Sequence, residues 1–256
     1  MENIANYEYP LNERTRSFLR LEFLFRQIHH FLDDASSWSS RAALASLVEI
    51  QEVIARSDLK TEILKELERH TGSLNKLRQQ SGIDQTRLSE ILSELEGLIT
   101  QIYGTNKPFG HELKKNDFLV AIKQRVAIPG GMCDFDLPVY HHWLQQPAQE
   151  RHDMIASWLK NFDLLSNAVH LILKLIREST LHHQELAEEG IYQKTLDSNT
   201  PCQLVRIALP SDSAYFPEVS GSKHRVSVRF MTAENIDIKA TQSHDDVVFK
   251  IAYCII

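Results

Sequence analysis

Apolar side chains recur every three or four positions through residues 11–180 of this chain. That spacing puts them on one face of a helix, and it therefore predicts a series of amphipathic helices. Asn12 and Asp84 are typical N-caps for two of these helices, because their side chains accept hydrogen bonds from the first free backbone N–H groups. Pro138 favours the first turn of a short helix, and Pro129-Gly130 favours the centre of a type II turn.

The pattern changes near Glu188 to short runs rich in β-branched and aromatic residues. The clearest runs are "IYQKTL", "CQLVRIAL", "HRVSVRFM" and "DDVVFKIAYCII". Such runs at close spacing predict an antiparallel sheet, and the alternation in "NYEYP" makes residues 5–10 a candidate added strand. We therefore expect an α+β fold, with a helical domain at residues 11–180 and a smaller antiparallel β-sheet domain at residues 188–256.

The helix that follows Asp84 carries a wide apolar stripe. Its members are Leu88, Ile91, Leu92, Leu95, Leu98, Ile99 and Ile102. One interpretation is a face that packs into the core of the same chain. The other is a face that packs against a second subunit.

Composition indicates a folded soluble protein. The 256 residues are 43% apolar and 24% charged, which is ordinary for such proteins, and the length allows a sizeable core. The formal net charge of -6 argues against coating nucleic acid or an anionic membrane, so anion binding requires a local patch.

Three widely spaced cysteines predict neither a disulfide framework nor a thiolate zinc site. With no signal-peptide core and no span-length apolar helix, we expect a cytoplasmic protein.

Motifs for catalysis are absent from the sequence. It contains no GxGxxG, GxxxxGK[ST], HExxH or GxSxG. The twelve histidines include doublets such as His29-His30, His141-His142 and His182-His183. Adjacent side chains on a helix point about 100° apart, so a doublet suits a single metal ion poorly. We expect no enzyme activity, no metal and no cofactor, with a histidine-based metal-dependent enzyme as one alternative.

A basic row is predicted within "SGSKHRVSVRFMT". Alternation along a strand puts Lys223, Arg225 and Arg229 on one face and the apolar residues on the other. If neighbouring strands pair in hairpin order, Arg206 and Lys250 add to the same face. One interpretation is a solvated sheet face. The other is an anion site, since few acidic residues lie nearby in the sequence and arginine forks suit carboxylates.

An acidic peptide is the anion that best fits this row. Binders of single-stranded nucleic acid interleave exposed aromatic side chains with their cations, and no aromatic residue alternates with the two arginines here. A binder of nucleic acid or anionic lipid through the same basic face is the alternative function.

Several segments together resemble the ZapD family of bacterial cell-division proteins. They are "YEYPLNERTRSFLRLEFL", "LKTEILKELER", "KQRVAIPGGMCDFDLP" followed by "HHWL", and "SGSKHRVSVRFM", in the same order along nearly the whole chain. The resemblance implies a non-enzymatic cytoplasmic homodimer that binds the C-terminal tail of FtsZ, a short peptide of acidic and apolar residues. It also implies cross-linking of FtsZ filaments into bundles, which promotes ring assembly and septation at midcell. Neither nucleic acid nor membrane is an expected partner.

The resemblance also implies particular contact residues. The family's tail-binding arginines match Arg225 and Arg229, and a third basic position matches Arg56. We expect Lys223 and Arg206 to assist them, while the helical domain forms the dimer.

Basic residues of the helical domain are linked to bundling in the family, and two of them match Arg20 and His141. The structural alternatives are an ion pair for Arg20 and a packing role for His141. A further basic position of that set falls at Asp117, where the chain departs from the family, although Lys114 and Lys115 lie close by in sequence.

Overall fold

The computed structural model describes residues 3–56, 58–80, 82–197, 200–233, 235 and 237–255. The chain divides into two compact units. The helical unit is Ser17–Ile172, and the sheet unit combines Met1–Arg16 with Leu173–Ile256.

Amphipathic helices form the first part of the chain, as predicted. They are α1 (Glu13–Leu32), α2 (Ser37–Ala55), α3 (Leu59–Asn75), α4 (Gln85–Gly104), α5 (Asp117–Arg125), α6 (Pro138–Leu144), α7 (Ala148–Leu159) and α8 (Asp163–Glu178), with a short 3-10 helix at His111–Lys115.

The predicted helix starts are confirmed by side-chain caps. The Asn12 carboxamide accepts from the Thr15 backbone N–H at 2.8 Å, and the Asp84 carboxylate accepts from the Arg87 backbone N–H at 3.0 Å. Pro138 begins α6. Gly130 has φ +72°, and the Gly131 N–H donates to the Ile128 carbonyl at 2.9 Å, as the predicted turn requires.

The wide stripe of α4 faces the core of its own chain. Five of its members are buried: Leu88, Leu92, Leu95, Leu98 and Ile102. Ile91 and Ile99 flank them and are half-buried. The core interpretation is therefore confirmed, and α4 presents little apolar surface for a second subunit.

Two antiparallel sheets form the other unit. Their strands are β1 (Ile4–Pro10), β2 (His183–Ala187), β3 (Ile191–Thr195), β4 (Leu204–Pro210), β5 (Tyr215–Ser222), β6 (Arg225–Thr232), β7 (Thr241–Gln242) and β8 (Val247–Cys254). The first sheet has the order β1-β4-β8-β2, so the predicted N-terminal strand does join an edge. The second has the order β3-β6-β5, with β7 also paired to β6. The sequence had indicated one sheet.

The two sheets enclose a shared apolar core. Val205 and Ile207 of β4 lie in one buried cluster with Val228 and Phe230 of β6 and with Phe249 of β8. Each sheet therefore has an inner face, which lines this core, and an outer face directed away from it. This arrangement decides which of the predicted cations share a surface.

Candidate functional site

Strand β6 presents two arginines on the outer face of the second sheet. Val226, Val228 and Phe230 are buried, whereas Arg225 and Arg229 are exposed, which confirms the predicted alternation within this strand. Four residues of strand separate the two arginines by about 13 Å along the sheet. A backbone paired on both sides, to β3 and β5, holds them in place.

Lys223 does not belong to this strand. Ser222 is directly opposite Arg225, so Lys223 and His224 form a two-residue hairpin turn between β5 and β6. The His224 backbone N–H donates to Ser222 Oγ at 3.3 Å, and His224 is exposed instead of packing on the apolar face. The prediction of one continuous strand was therefore wrong, and Lys223 extends from the tip of the hairpin beside Arg225.

Both arginines have partners on neighbouring strands. Arg225 donates through Nη2 to the Gln193 side-chain oxygen on β3. Arg229 donates through Nη2 to Glu218 Oε2 on β5 at 3.1 Å. The side chains of Arg229 and Glu218 keep 57% and 51% of their surface exposed, so this ion pair is weak and accessible to a competing carboxylate. The expectation that few acids offset the basic row was wrong for Arg229.

Apolar side chains flank the arginines on the same outer face. Ile191 of β3 is opposite Arg229 and is exposed, and Phe216 of β5 is opposite Met231 and is half-buried. No aromatic residue alternates with the arginines on β6 itself, but β5 supplies Phe216. We call this surface the arginine face. It consists of Ile191, Gln193, Phe216, Glu218, Arg225 and Arg229.

Arg206 does not share the arginine face, because β4 belongs to the other sheet. Its Nη1 donates to the Arg177 carbonyl at 3.1 Å, and its Nε lies 3.3 Å from Glu8 Oε1. Lys250 of β8 is exposed on the same outer face as Arg206. The prediction that Arg206 and Lys250 extend the basic row was therefore wrong. Strand β4 is buried on both faces, including Leu204 and Ala208, and it takes a central position in its own sheet.

The three other predicted contacts lie in the helical unit. Arg20 is exposed on α1 and forms no ion pair with any described residue. Arg56 is the C-cap of α2, exposed, with Nη2 3.5 Å from Glu52 Oε2. His141 is half-buried in the last turn of α6.

The position that departs from the family lies at a helix start. Asp117 is exposed in the first turn of α5, where its charge complements the helix dipole. Lys114 and Lys115 are exposed on the preceding 3-10 helix.

Two further features of the described residues bear on metal binding and on membrane insertion. Within the described ranges, no three His, Cys, Asp or Glu side chains cluster closely enough to hold a metal ion. Among the helices of the same ranges, none is both long and apolar enough to cross a bilayer.

Fold and site together describe an α+β protein in which a helical unit accompanies a β-sandwich with an arginine-bearing outer strand. The family model "ZapD: Cell division protein" matches residues 19–229. The cell division protein ZapD of Methylococcus capsulatus is 42% identical over 256 residues, covering 100% of both chains. Those of Dechloromonas aromatica and Coxiella burnetii are 38% and 36% identical, covering 98% and 97% of this chain and 99% and 96% of their own. The chain belongs to the ZapD family of cell division proteins.

Proposed function

We propose that this protein binds the C-terminal tail of FtsZ through the arginine face and, as a homodimer, cross-links FtsZ filaments into bundles. Its place of action is the cytoplasm at midcell, where bundling promotes assembly of the FtsZ ring. Membership of a cell-division family supports the process, and the resemblance described above supports the partner. The proposal is non-enzymatic and requires no cofactor.

The observation that carries the proposal is the spacing and exposure of Arg225 and Arg229. An extended peptide advances about 3.3 Å per residue, so two carboxylates about four residues apart can reach both guanidinium groups. Ile191 beside Arg229, and Phe216 beyond it, offer apolar contact. A peptide that mixes acidic and apolar residues therefore matches this face in both charge and hydrophobicity.

The other predicted contact residues differ in where they lie, and not all of them belong to the proposed site. Lys223, at the hairpin tip, extends the positive potential next to Arg225. Arg56, Arg20 and His141 remain proposed contacts of the helical unit. Arg206 is left out of the proposed site, because its guanidinium is engaged by Glu8 and the Arg177 carbonyl.

Bundling requires two filament-binding surfaces on one particle, and a two-fold dimer presents every surface twice. We place the dimer contact at a groove of about 600 Å³ in the helical unit, lined by Trp38, Arg41 and residues 126–134. Trp38 and Ile128 are exposed there, and Phe135 follows directly along the chain with 81% of its surface exposed. Apolar groups this exposed are typical of an interface. We call this surface the Trp38 groove.

Arg41 holds the groove in shape. Its guanidinium carbon lies 5.1 Å from the ring centroid of Trp38 and 5.0 Å from that of Tyr140, and its Nη1 donates to the Met132 carbonyl at 3.3 Å. Because the Arg41 cation lies between two rings, it orients Trp38 before a partner binds. This orientation lowers the entropic cost of association. Since each filament offers many tails, even weak binding at each site of a dimer gives strong overall binding.

Pelleting of FtsZ polymers tests the proposal. We expect the protein to pellet bundles of FtsZ, and we expect neither FtsZ without its C-terminal tail nor the Arg225→Ala/Arg229→Ala variant to give bundles. Arg78→Ala, an exposed arginine of the helical unit, is the matched control and retains bundling. Equal bundling of tail-less FtsZ would refute the proposed contact.

A further inference from the structure

Strand β3 lies at one edge of the second sheet, next to the strand that carries the two arginines. It pairs with β6 on one side and is the end strand of the order β3-β6-β5 on the other. Its backbone pairing with β2 is limited to a bridge between Glu188 and Ile191, because β2 pairs with β8 in the first sheet. Among the described residues, one long side of β3 therefore has no partner strand.

The register of β3 shows which backbone groups point to this open side. Just after β3, the Leu196 N–H donates to the His224 carbonyl at 2.8 Å. Because successive residues of a strand direct their N–H and C=O groups to opposite sides, the even-numbered residues of β3 also bond toward β6. Gln193 and Thr195 therefore direct theirs to the open side, and both residues are exposed. Each of them offers one donor and one acceptor to an added strand.

Arg225 reaches toward the same open side. It belongs to β6, yet its Nη2 donates to the side-chain oxygen of Gln193 on β3. Neighbouring strands lie about 4.8 Å apart, so a strand added to β3 lies about 10 Å from β6, which an arginine and an acidic side chain can span together. Thr195 is directly opposite Arg225, and Ile191 is directly opposite Arg229. An added strand therefore brings two of its side chains, four residues apart, toward the two arginines.

The other edges of the two sheets suit an acidic strand less well. Pro217 of β5 is opposite Phe230, whose N–H donates to the Gly190 carbonyl on the side away from β5. Pro217 therefore faces the open side of β5, where it has no N–H to offer, and proline at such a position discourages strand addition. The edge strands of the first sheet, β1 and β2, carry the acids Glu8 and Glu185. Charge and backbone together favour β3.

We propose that an extended acidic peptide adds to β3 as a further strand of the second sheet. Its backbone pairs with the N–H and C=O groups of Gln193 and Thr195, and a carboxylate on its outer face accepts hydrogen bonds from Arg225. A second carboxylate, four residues away, reaches Arg229. This inference rests on the proposed function, because the peptide is the FtsZ tail. It adds backbone groups of β3 to the side chains of the arginine face.

Amide hydrogen exchange of the wild type, measured residue by residue by nuclear magnetic resonance, tests the added strand. With the tail peptide at about ten times its Kd, exchange at the Gln193 and Thr195 N–H groups should slow about tenfold, since exchange then requires the peptide to dissociate. The Val219 N–H is the matched control. It lies two residues after Pro217 and points to the open side of β5, so its exchange rate should not change.

The exchange experiment separates this inference from the proposed function. Fluorescence anisotropy shows in parallel whether the peptide binds. Binding with slower exchange at both residues supports the added strand. Binding with unchanged exchange overturns the added strand and leaves the tail contact of the arginine face in place. Absence of binding by the wild type overturns both.

A proline substitution tests the same backbone groups through affinity. Gln193→Pro removes the N–H that points to the open side, and an edge strand tolerates this change because the bonds to β6 come from the neighbouring residues. Gln193→Pro should bind the tail at least fivefold more weakly than Gln193→Ala, which keeps the N–H. Equal affinity of these two variants, when both are folded, would contradict the added strand.

The matched control is Asn6→Pro on β1. The Ser211 N–H donates to the Asn3 carbonyl at 2.8 Å, so by the same alternation the exposed Asn6 directs its N–H away from β4. Asn6→Pro should leave tail affinity unchanged. The Tm of each variant shows whether its fold is kept. If Gln193→Pro does not fold, the exchange experiment on the wild type decides.

Discussion

Arg225 and Arg229 differ in what holds their guanidinium groups. Gln193, the partner of Arg225, is neutral, whereas Glu218, the partner of Arg229, is an acid. An incoming carboxylate must therefore compete with Glu218 at Arg229, whereas no acidic side chain of the described residues pairs with Arg225. At the scale of single residues, we infer that Arg225 is the stronger anchor and that Glu218 acts as a built-in competitor.

Replacing Glu218 tests this inference. Glu218→Gln should raise tail affinity about 1.4- to fivefold, which corresponds to the roughly 0.2–1 kcal/mol of an exposed ion pair. Fluorescence anisotropy with a labelled tail peptide measures the change. Glu90→Gln is the matched control, since Glu90 forms a similar exposed pair with Arg87 at 3.4 Å on α4. Unchanged or lower affinity in Glu218→Gln would contradict the competitor role.

Arg206 should behave in the opposite way. Its side chain is about four-fifths buried between Glu8 and the end of α8. Arg206→Ala removes the ion pair with Glu8, which keeps two hydrogen bonds from Arg177, and it leaves the Arg177 carbonyl without this donor. We expect a loss of about 1–3 kcal/mol in the free energy of unfolding, with tail affinity unchanged. Urea titration and anisotropy measure the two quantities. Weaker tail binding at unchanged stability would return Arg206 to the binding site.

Among the elements, helix α3 carries two buried titratable residues, Glu66 and His70. His70 is fully buried, and its two ring nitrogens have no hydrogen-bond partner in the described ranges. Burial, with a smaller effect of Arg69, lowers the pKa of His70 to about 4, although Glu66 opposes the shift. His70 is therefore neutral in the folded protein at neutral pH.

This low pKa predicts a pH-dependent stability. Because the unfolded His70 has an ordinary pKa near 6.5, the unfolded state binds more protons below that pH, and stability falls as the pH drops from about 6.5 to about 4. Between pH 7 and pH 5 the loss from this residue is about 2 kcal/mol. Urea titrations at both values should show His70→Gln losing less stability than the wild type, while exposed His30→Gln matches the wild type. Equal losses in wild type and His70→Gln would refute this assignment.

The elements also show how far sequence patterns reach. Helix starts with Asn12 and Asp84 caps and the strict alternation of β6 were predictable, because caps and alternation are local. Strand β2 was missed, since His183–Ala187 is largely polar and lies at a sheet edge. Strand β5 was missed because Pro217 and Gly221 are typical of loops, and an edge strand tolerates both.

Pairing between strands was the part of the site that the sequence could not settle. The turn at Lys223-His224 contains neither glycine nor asparagine, so it gave no local signal and the segment resembled one long strand. Alternation shows which residues share a face of a strand, but it does not show which strands are neighbours. For that reason Arg225 and Arg229 were placed correctly relative to each other, while Arg206 and Lys250 were not. The acidic partner of Arg229, Glu218, was not predicted.

At the scale of the whole molecule, the proposed bundling of filaments requires two copies of the chain. Because the apolar stripe of α4 is buried within its own chain, α4 offers little apolar surface for a dimer contact. We propose the exposed Trp38 groove as that contact instead. In this proposal the arginine face carries tail binding, with Arg56 of the helical unit assisting, while the Trp38 groove carries association. Loss of tail binding should leave dimerisation intact, and loss of dimerisation should leave binding of a single tail intact.

Substitution of Trp38 tests the dimer contact. Trp38→Asp should raise the dimer dissociation constant at least about 30-fold, as expected for a central interface tryptophan worth about 2 kcal/mol. An acid near the start of α2 complements the helix dipole, so the fold should tolerate it. Light scattering after size exclusion measures the mass. Phe23→Asp is the matched control, because Phe23 is 63% exposed on α1 outside the groove. A dimeric Trp38→Asp protein would move the contact elsewhere.

Binding of the tail peptide itself tests the proposed role of the arginine face. A fluorescently labelled FtsZ C-terminal peptide is titrated with the wild type, with Arg225→Glu and with Arg78→Glu, a control with the same charge change on the helical unit. We expect saturable binding by the wild type and by Arg78→Glu, and at least tenfold weaker binding by Arg225→Glu. Equal affinity of Arg225→Glu and the wild type, or no binding by the wild type, would contradict it.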